Sequence, residues 1–170
     1  MRYLFLFLAS FFLVTSCTKS DDDTPTLRYT GAGVMRCTIN GQDWEASPRR
    51  FGFEGVTAQY GSSQNSIQVL GHIDADPNIT PFSSFSVFVD DPLVGEKLIA
   101  PDNEFLLIVD YTPGSREEYT HLPAHPDNWL IVDRLDLDAR ILGGRFAGVA
   151  VSNISSDTLI IENGFFDVTF

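Results

Sequence analysis

A short acidic stretch could bind a metal ion. Asp74, Asp76 and Asn78 place an oxygen-bearing side chain at every second position. Calcium-binding loops often begin this way, because the ion takes about six to eight oxygen ligands. An EF-hand loop would continue with a glycine and a bidentate glutamate, where this chain has Ile79 and Phe85. We therefore interpret the stretch as a turn, with a calcium site as the alternative, and expect no other cofactor.

The common catalytic combinations do not occur in the sequence. A catalytic nucleophile needs a neighbouring base in a fixed geometry, but the chain has no G-x-S-x-G motif. His121 and His125 are four residues apart, yet Pro123 and Pro126 prevent the helix that would direct both side chains to one metal ion. We predict a protein without catalytic residues; a glycan hydrolase or lyase on a jelly-roll fold is the alternative.

Two aromatic residues in a loop-rich region are candidates for ligand contact. Tyr119 and Trp129 lie in the proline-containing segment 112–130. An exposed aromatic ring offers a flat apolar face on which a sugar ring can pack. We predict that these two residues contact a ligand, with burial in the protein core as the alternative.

The charge of the chain argues against nucleic acid as a partner. There are 11 lysine and arginine residues against 23 aspartate and glutamate residues, which gives a net charge of −12. Affinity for nucleic acid depends mainly on cationic side chains that meet phosphate groups. Acidity of this kind favours solubility, so we predict no nucleic-acid partner.

The N-terminus has the pattern of an export signal. Arg2 precedes an uncharged run, residues 3–14, that is too short for the roughly 20 residues a membrane-spanning helix needs. A positive start followed by about 7 to 15 apolar residues is typical of a secretory signal. The run ends in Leu13-Val14-Thr15-Ser16-Cys17, which resembles a bacterial lipobox. That resemblance implies cleavage before Cys17 and attachment of several acyl chains to it, which together would form a firm membrane anchor.

An acidic cluster follows the cysteine. It consists of Lys19, Ser20, Asp21, Asp22 and Asp23. The cluster resembles the surface-export signal of Bacteroidetes lipoproteins, and the resemblance implies a protein on the outer face of the outer membrane. The alternative is a solvated tether, extended by charge repulsion, on the periplasmic face.

Three segments follow from these observations. We predict a signal peptide over residues 1–16, a lipidated cysteine with a flexible tether over 17–32, and one folded domain over 33–170. If Cys17 carries lipid, Cys37 is the only other cysteine, so no disulfide within the chain is possible.

Two Asn-Gly pairs predict β-hairpins, because a type I′ turn needs positive φ at both central positions. A turn at Asn40-Gly41 pairs Ile39 with Gln42 and Cys37 with Trp44. A turn at Asn163-Gly164 pairs Glu162 with Phe165. The second hairpin would have one apolar face, formed by Leu159, Ile161, Phe166, Val168 and Phe170, and one wet face, which includes Thr158, Asp167 and Thr169.

The remaining pattern also has a period of two. Residues 134–141 alternate as a strand with Leu135 and Leu137 facing inward, and Gly143-Gly144 interrupts the run before it resumes. Many short strands separated by turn signals are typical of a β-sandwich or barrel. We predict an all-β protein, an antiparallel sandwich of about eight to ten strands.

Three stretches carry a further resemblance. The hairpin "INGQDW", the run "DRLDLDARILGGRFAGVAV" and the end "IENGFFDVTF" are similar to a family of small Bacteroidetes outer-membrane lipoproteins of unknown function. The resemblance implies the sandwich fold and adds no activity. We predict a lipid-anchored, non-catalytic protein that binds a glycan, a host surface or an outer-membrane complex. The alternative is a structural envelope or assembly subunit without a small ligand.

Overall fold

The protein is an antiparallel β-sandwich, as predicted. Its computed structural model describes residues 28–46, 55–63, 65–73, 82–99, 106–112, 115–122 and 125–170. These residues form eleven strands, against the eight to ten expected. The strands are β1 (Val34–Ile39), β2 (Gln42–Glu45), β3 (Val56–Gly61), β4 (Ser66–His72), β5 (Phe82–Asp90), β6 (Lys97–Ile99), β7 (Leu106–Thr112), β8 (Ser115–His121), β9 (Trp129–Asp136), β10 (Ile141–Ser152) and β11 (Thr158–Thr169).

Two layers share the long strands β10 and β11. The first half of β10 pairs with β9, and its last three residues pair with β8. One layer therefore runs β2-β1-β11-β10-β9-β6, and the other continues from β10 through β8-β7-β5-β4-β3. Aromatic rings join the layers in the core. The Phe85 ring of β5 lies 5.4 Å from the ring of Trp44 and 5.2 Å from that of Phe146, centroid to centroid.

The first predicted hairpin is confirmed. Asn40 and Gly41 have φ values of 50° and 78°, as a type I′ turn requires. Cys37 pairs with Trp44 and Ile39 pairs with Gln42, in the predicted register. Cys37 is buried, and this burial raises the pKa of its thiol to about 12.

The second predicted hairpin is wrong. Strand β11 continues through Asn163 and Gly164, and it pairs with β1 and β10 along its length. Asn163 has a φ of 54°, so the pair forms a bulge in which Ala147 faces two residues of β11. The Asn-Gly pair correctly indicated a positive φ at Asn163, but it did not show that a strand lies on each side of β11. The predicted apolar face is confirmed, since its members are buried or packed against the core: Leu159, Ile161, Phe166, Val168 and Phe170.

The predicted strand over residues 134–141 is also wrong, because it contains a turn. Strand β9 ends at Asp136, and β10 begins at Ile141. The Asp136 carboxylate accepts a hydrogen bond from the Ala139 amide at 2.8 Å, which stabilises the turn. Leu137 lies in this turn and is 54% exposed rather than inward-facing.

The folded domain begins before residue 33. Tyr29, which was assigned to the tether, is buried. Residues 28–33 cross the outer face of the sheet at β9, β10 and β11 before they enter β1. Asp167 of β11, predicted to be wet, is 3% exposed because this segment covers it. The tether boundary at residue 32 is therefore corrected to a point no later than residue 28.

Several predicted features lie outside the described residues. They are the signal peptide, Cys17, the acidic cluster Lys19, Ser20, Asp21, Asp22 and Asp23, and the calcium candidates Asp74, Asp76 and Asn78. Within the described ranges, no helix is long and apolar enough to span a membrane.

Candidate ligand-binding groove

A groove of about 690 Å³ lies on the outer face of the layer that contains β1, β2, β9, β10 and β11. Its size is within the range typical of small-ligand sites. The side chains that line it include Arg36, Thr38, Glu45, Trp129, Arg145 and Phe165. Charged, polar and aromatic groups therefore meet at one surface.

Strand register aligns six outward-facing residues in one line that crosses this groove and continues beyond its lining residues to β6. Arg36 pairs with Glu45 on one side and with Phe165 on the other. Phe165 pairs with Arg145, which pairs with Ile131, and Ile131 pairs with Lys97. We call this line the cross-strand row: Glu45, Arg36, Phe165, Arg145, Ile131 and Lys97. Neighbouring strands lie about 4.8 Å apart, so the row extends perpendicular to the strands over six of them.

Phe165 forms the centre of the row. Its ring is only partly buried. The guanidinium carbon of Arg36 lies 5.2 Å from the ring centroid, a cation–π distance. The ring of Tyr29 stacks beside it, with centroids 5.6 Å apart and planes 18° from parallel. The Phe165 ring is thus held in place from two sides.

Arg145 is held by an ion pair with Asp133. Its Nε and Nη2 atoms donate to the two carboxylate oxygens of Asp133, each at 2.7 Å. A bulge in β9 places Asp133 there, because Gly143 pairs with Arg134 while Gly144 pairs with Val132. The Tyr29 hydroxyl donates to the same carboxylate. One bidentate pair therefore fixes the direction of the guanidinium.

The pKa values of Asp133, Tyr29 and Arg145 shift in the directions expected when an acid is paired with a base. Burial alone would raise the pKa of Asp133, but the hydrogen bonds from Arg145 and Tyr29 outweigh it and lower the pKa below its usual value. Burial and the neighbouring Asp133 carboxylate raise the pKa of Tyr29. The hydrogen bond to Asp133 raises the pKa of Arg145. Asp133 is thus ionised, Arg145 charged and Tyr29 neutral at ordinary pH.

Tyr29 reaches this position because Gly143 leaves room for it. A Cβ atom at position 143 would lie 2.0 Å from Cδ1 of the Tyr29 ring. The adjacent residues fasten the same segment to Asp167. The carboxylate of Asp167 accepts hydrogen bonds from the backbone amides of Thr30, Gly31 and Ala32, at distances between 2.6 and 3.2 Å. The N-terminal segment is therefore fixed beside Phe165, a residue that lines the groove.

Trp129 lies on the groove and Tyr119 does not. Trp129 begins β9 and is partly buried, and the Nζ atom of Lys97 lies 5.2 Å from the centroid of its ring. Tyr119 lies in β8, is 6% exposed and packs in the hydrophobic core. The prediction that Tyr119 offers an exposed ring is wrong, because the segment taken for a loop is a strand whose inner face includes this residue.

The sequence did not single out Arg36, Phe165 or Arg145 as site residues. The Arg36–Glu45 pairing followed from the first hairpin, and it is confirmed. Extending the row to Phe165 and Arg145 would have needed the bulge at Asn163, which was interpreted as a turn. No group of three or more potential metal-ligating side chains occurs among the described residues.

Comparisons with known proteins give no match: no family model, no curated protein and no solved structure is similar to the chain.

Proposed function

We propose that this protein is a non-catalytic binding lipoprotein of the Bacteroidetes outer membrane, anchored through Cys17 and exposed on the outer face of the cell, and that its groove binds a glycan. The observation that carries the proposal is the pair of partly exposed rings, Phe165 and Trp129, on one groove lined by hydrogen-bonding and charged side chains. Sugars present flat C–H faces and many hydroxyl groups, and they are bound by this combination of surfaces.

A glycan array with the full chain in detergent tests the binding step. We expect binding to a subset of saccharides and a loss of about tenfold in Trp129→Ala, since an aromatic contact at an interface contributes about 1 to 2 kcal/mol. The matched control is Gln68→Ala, an exposed change on β4 of the other layer. Silence of the array, or equal binding by Trp129→Ala and the wild type, would contradict the proposal.

The cell-surface step has its own experiment. Protease treatment of intact cells should remove the domain, while Cys17→Ser should abolish membrane association. Protection of the domain until lysis would place it on the periplasmic face and make the acidic cluster a tether only.

A structural subunit is the second candidate, and one observation favours it. An apolar line runs from Leu122, which follows β8, through Val149 of β10 to Ile160 of β11. Leu122 is 41% exposed and Ile160 is 52% exposed, and Val149 pairs with Ile160. A partner that covered this line would co-purify with the chain, and Ile160→Asp would release it without affecting glycan binding.

A further inference from the structure

The groove is lined by two cations, Arg36 and Arg145, and two anions, Asp43 and Glu45, and a third cation, Lys97, lies beside it over the ring of Trp129. The protein has a net charge of −12, yet the cross-strand row contains three cations, Arg36, Arg145 and Lys97, and one anion, Glu45. On a chain that is acidic overall, cations concentrated along one row offer local binding points for anionic groups.

Two of these cations have no anionic partner within the described ranges. Glu45 is in register with Arg36, but no carboxylate of the described residues lies within ion-pair distance of Arg36 or Lys97. Their cationic groups lie instead over the faces of Phe165 and Trp129. A guanidinium on an aromatic face keeps its edge N–H groups available for an anion.

Arg145 differs because its direction is already fixed. Asp133 occupies the Nε hydrogen and one Nη2 hydrogen, so three of the five guanidinium N–H groups remain for other acceptors. The side chain is 43% exposed and lines the groove. A cation positioned in advance loses less conformational entropy when it binds an anion.

The three cations lie on alternate strands of the row. Arg36 and Arg145 are separated by one strand, and so are Arg145 and Lys97. At about 4.8 Å between strands, each step is roughly 10 Å at the backbone. A chain that carries several anionic groups fits this spacing.

We propose that the groove and the cross-strand row select acidic saccharides: carboxylate or sulfate groups of one chain bind Arg36, Arg145 and Lys97. This inference rests on the proposed glycan-binding function and names the class of glycan. Neutral saccharides lack the groups that these cations bind, so they are excluded from tight binding.

Calorimetric titration of the full chain in detergent tests the proposal with matched probes. Oligogalacturonate is compared with its methyl ester, which has the same backbone without the charge, and dextran sulfate is compared with dextran. We expect binding to one or both acidic probes, at least tenfold weaker binding to the neutral counterparts, and affinity that falls as salt rises because exposed charges are screened. The two acidic probes distinguish carboxylate from sulfate.

Variants locate the binding to the row. Arg36→Gln and Lys97→Gln should each weaken acidic-probe binding about five- to tenfold, as expected for loss of one charge-assisted contact. Arg140→Gln is the matched control, because Arg140 also lies on an aromatic face, 6.0 Å from the Phe170 centroid, but outside the row. Arg145→Lys keeps the charge and should still weaken binding, since lysine cannot make the bidentate contact that fixes direction.

Four results would overturn the inference. Equal affinity for acidic and neutral probes would remove the selectivity, and equal losses in Arg36→Gln and Arg140→Gln would move the binding elsewhere. Tight binding of neutral glycans alone would refute acidic selectivity and leave the proposed function standing. Failure of every saccharide in the array and the titrations would refute both.

Discussion

Asp133 and Asp167 both hold the N-terminal segment on the sheet, but they do so through different atoms. Asp133 contacts side chains, namely the Tyr29 hydroxyl and the Arg145 guanidinium. Asp167 contacts the backbone amides of residues 30–32 and, in addition, the Thr30 hydroxyl. Asp133 therefore connects the N-terminal segment to a groove residue, Arg145, whereas Asp167 only attaches the segment to β11.

Attachment of the N-terminal segment and ligand binding in the groove therefore depend on different aspartates. The Asp167 contacts are mainly to backbone amides, so they depend little on which side chains the segment carries. The Asp133 contact depends on Tyr29 and on Arg145, so any change there alters the groove as well. Variants at the two positions should therefore affect stability and ligand binding in different proportions.

Asp167→Ala should have the largest effect on stability. It removes a buried carboxylate with several charge-assisted hydrogen bonds, so we expect a loss of about 2 to 4 kcal/mol in the free energy of unfolding. Urea unfolding measures the loss, and hydrogen exchange at the amides of residues 30–32 should show lost protection. Binding of the acidic probe should change less than twofold, because the Asp133–Arg145 pair remains. A large loss of binding would show that the two aspartates act as one unit.

Gly143→Ala should come next, at about 2 to 3 kcal/mol. The new methyl group would overlap the Tyr29 ring, so the ring must leave its place beside Phe165 and lose its buried contacts. A double-mutant cycle with Tyr29→Ala provides the control. In that background Gly143→Ala should cost little; an undiminished cost would mean that strain arises from the backbone instead.

Asp133→Asn should have the smallest effect on stability, about 1 to 2 kcal/mol near neutral pH, and the largest effect on binding. Because its native contacts lower the pKa of Asp133, its stabilising contribution is full above the unfolded-state pKa of about 4. The contribution is lost as the pH falls through the lowered native value. The difference in unfolding free energy between wild type and Asp133→Asn should therefore shrink below about pH 4. A constant difference down to pH 2 would contradict the assignment.

The fold class and the first hairpin could be predicted from the sequence because they depend on neighbours in the chain. Asn40-Gly41 joins strands that pair with each other, so turn chemistry and alternation determine the register. Asn163-Gly164 has the same letters, but β1 and β10 arrive from distant parts of the chain and lie on both sides of it. A Cβ atom at Gly164 would lie 2.4 Å from the Phe146 carbonyl oxygen, which shows how closely β10 passes. No local pattern contains that information.

The site was harder to predict for the same reason. Trp129 could be singled out because an aromatic residue beside a loop is visible locally. Arg36 and Arg145 are more than one hundred positions apart, and Phe165 lies between them only because β11 is the middle strand. The sequence predicted that Asp167 lies on a solvent-exposed face, because alternation of apolar and polar residues marks the outer side of a strand. Alternation does not show that an N-terminal segment covers that side.

The pairing of the first strand with the last has a consequence for the order in which the chain can fold. Among the described strands, β1 pairs only with β2 and β11, and Val34 meets Asp167 across nearly the whole sequence. Contacts this distant in sequence form slowly, because a long loop must close before they contribute. Among the described strands, β11 leaves a ribosome or a membrane channel last. The binding surface can therefore form only after β11 has emerged, because β1 and β10 both pair with it.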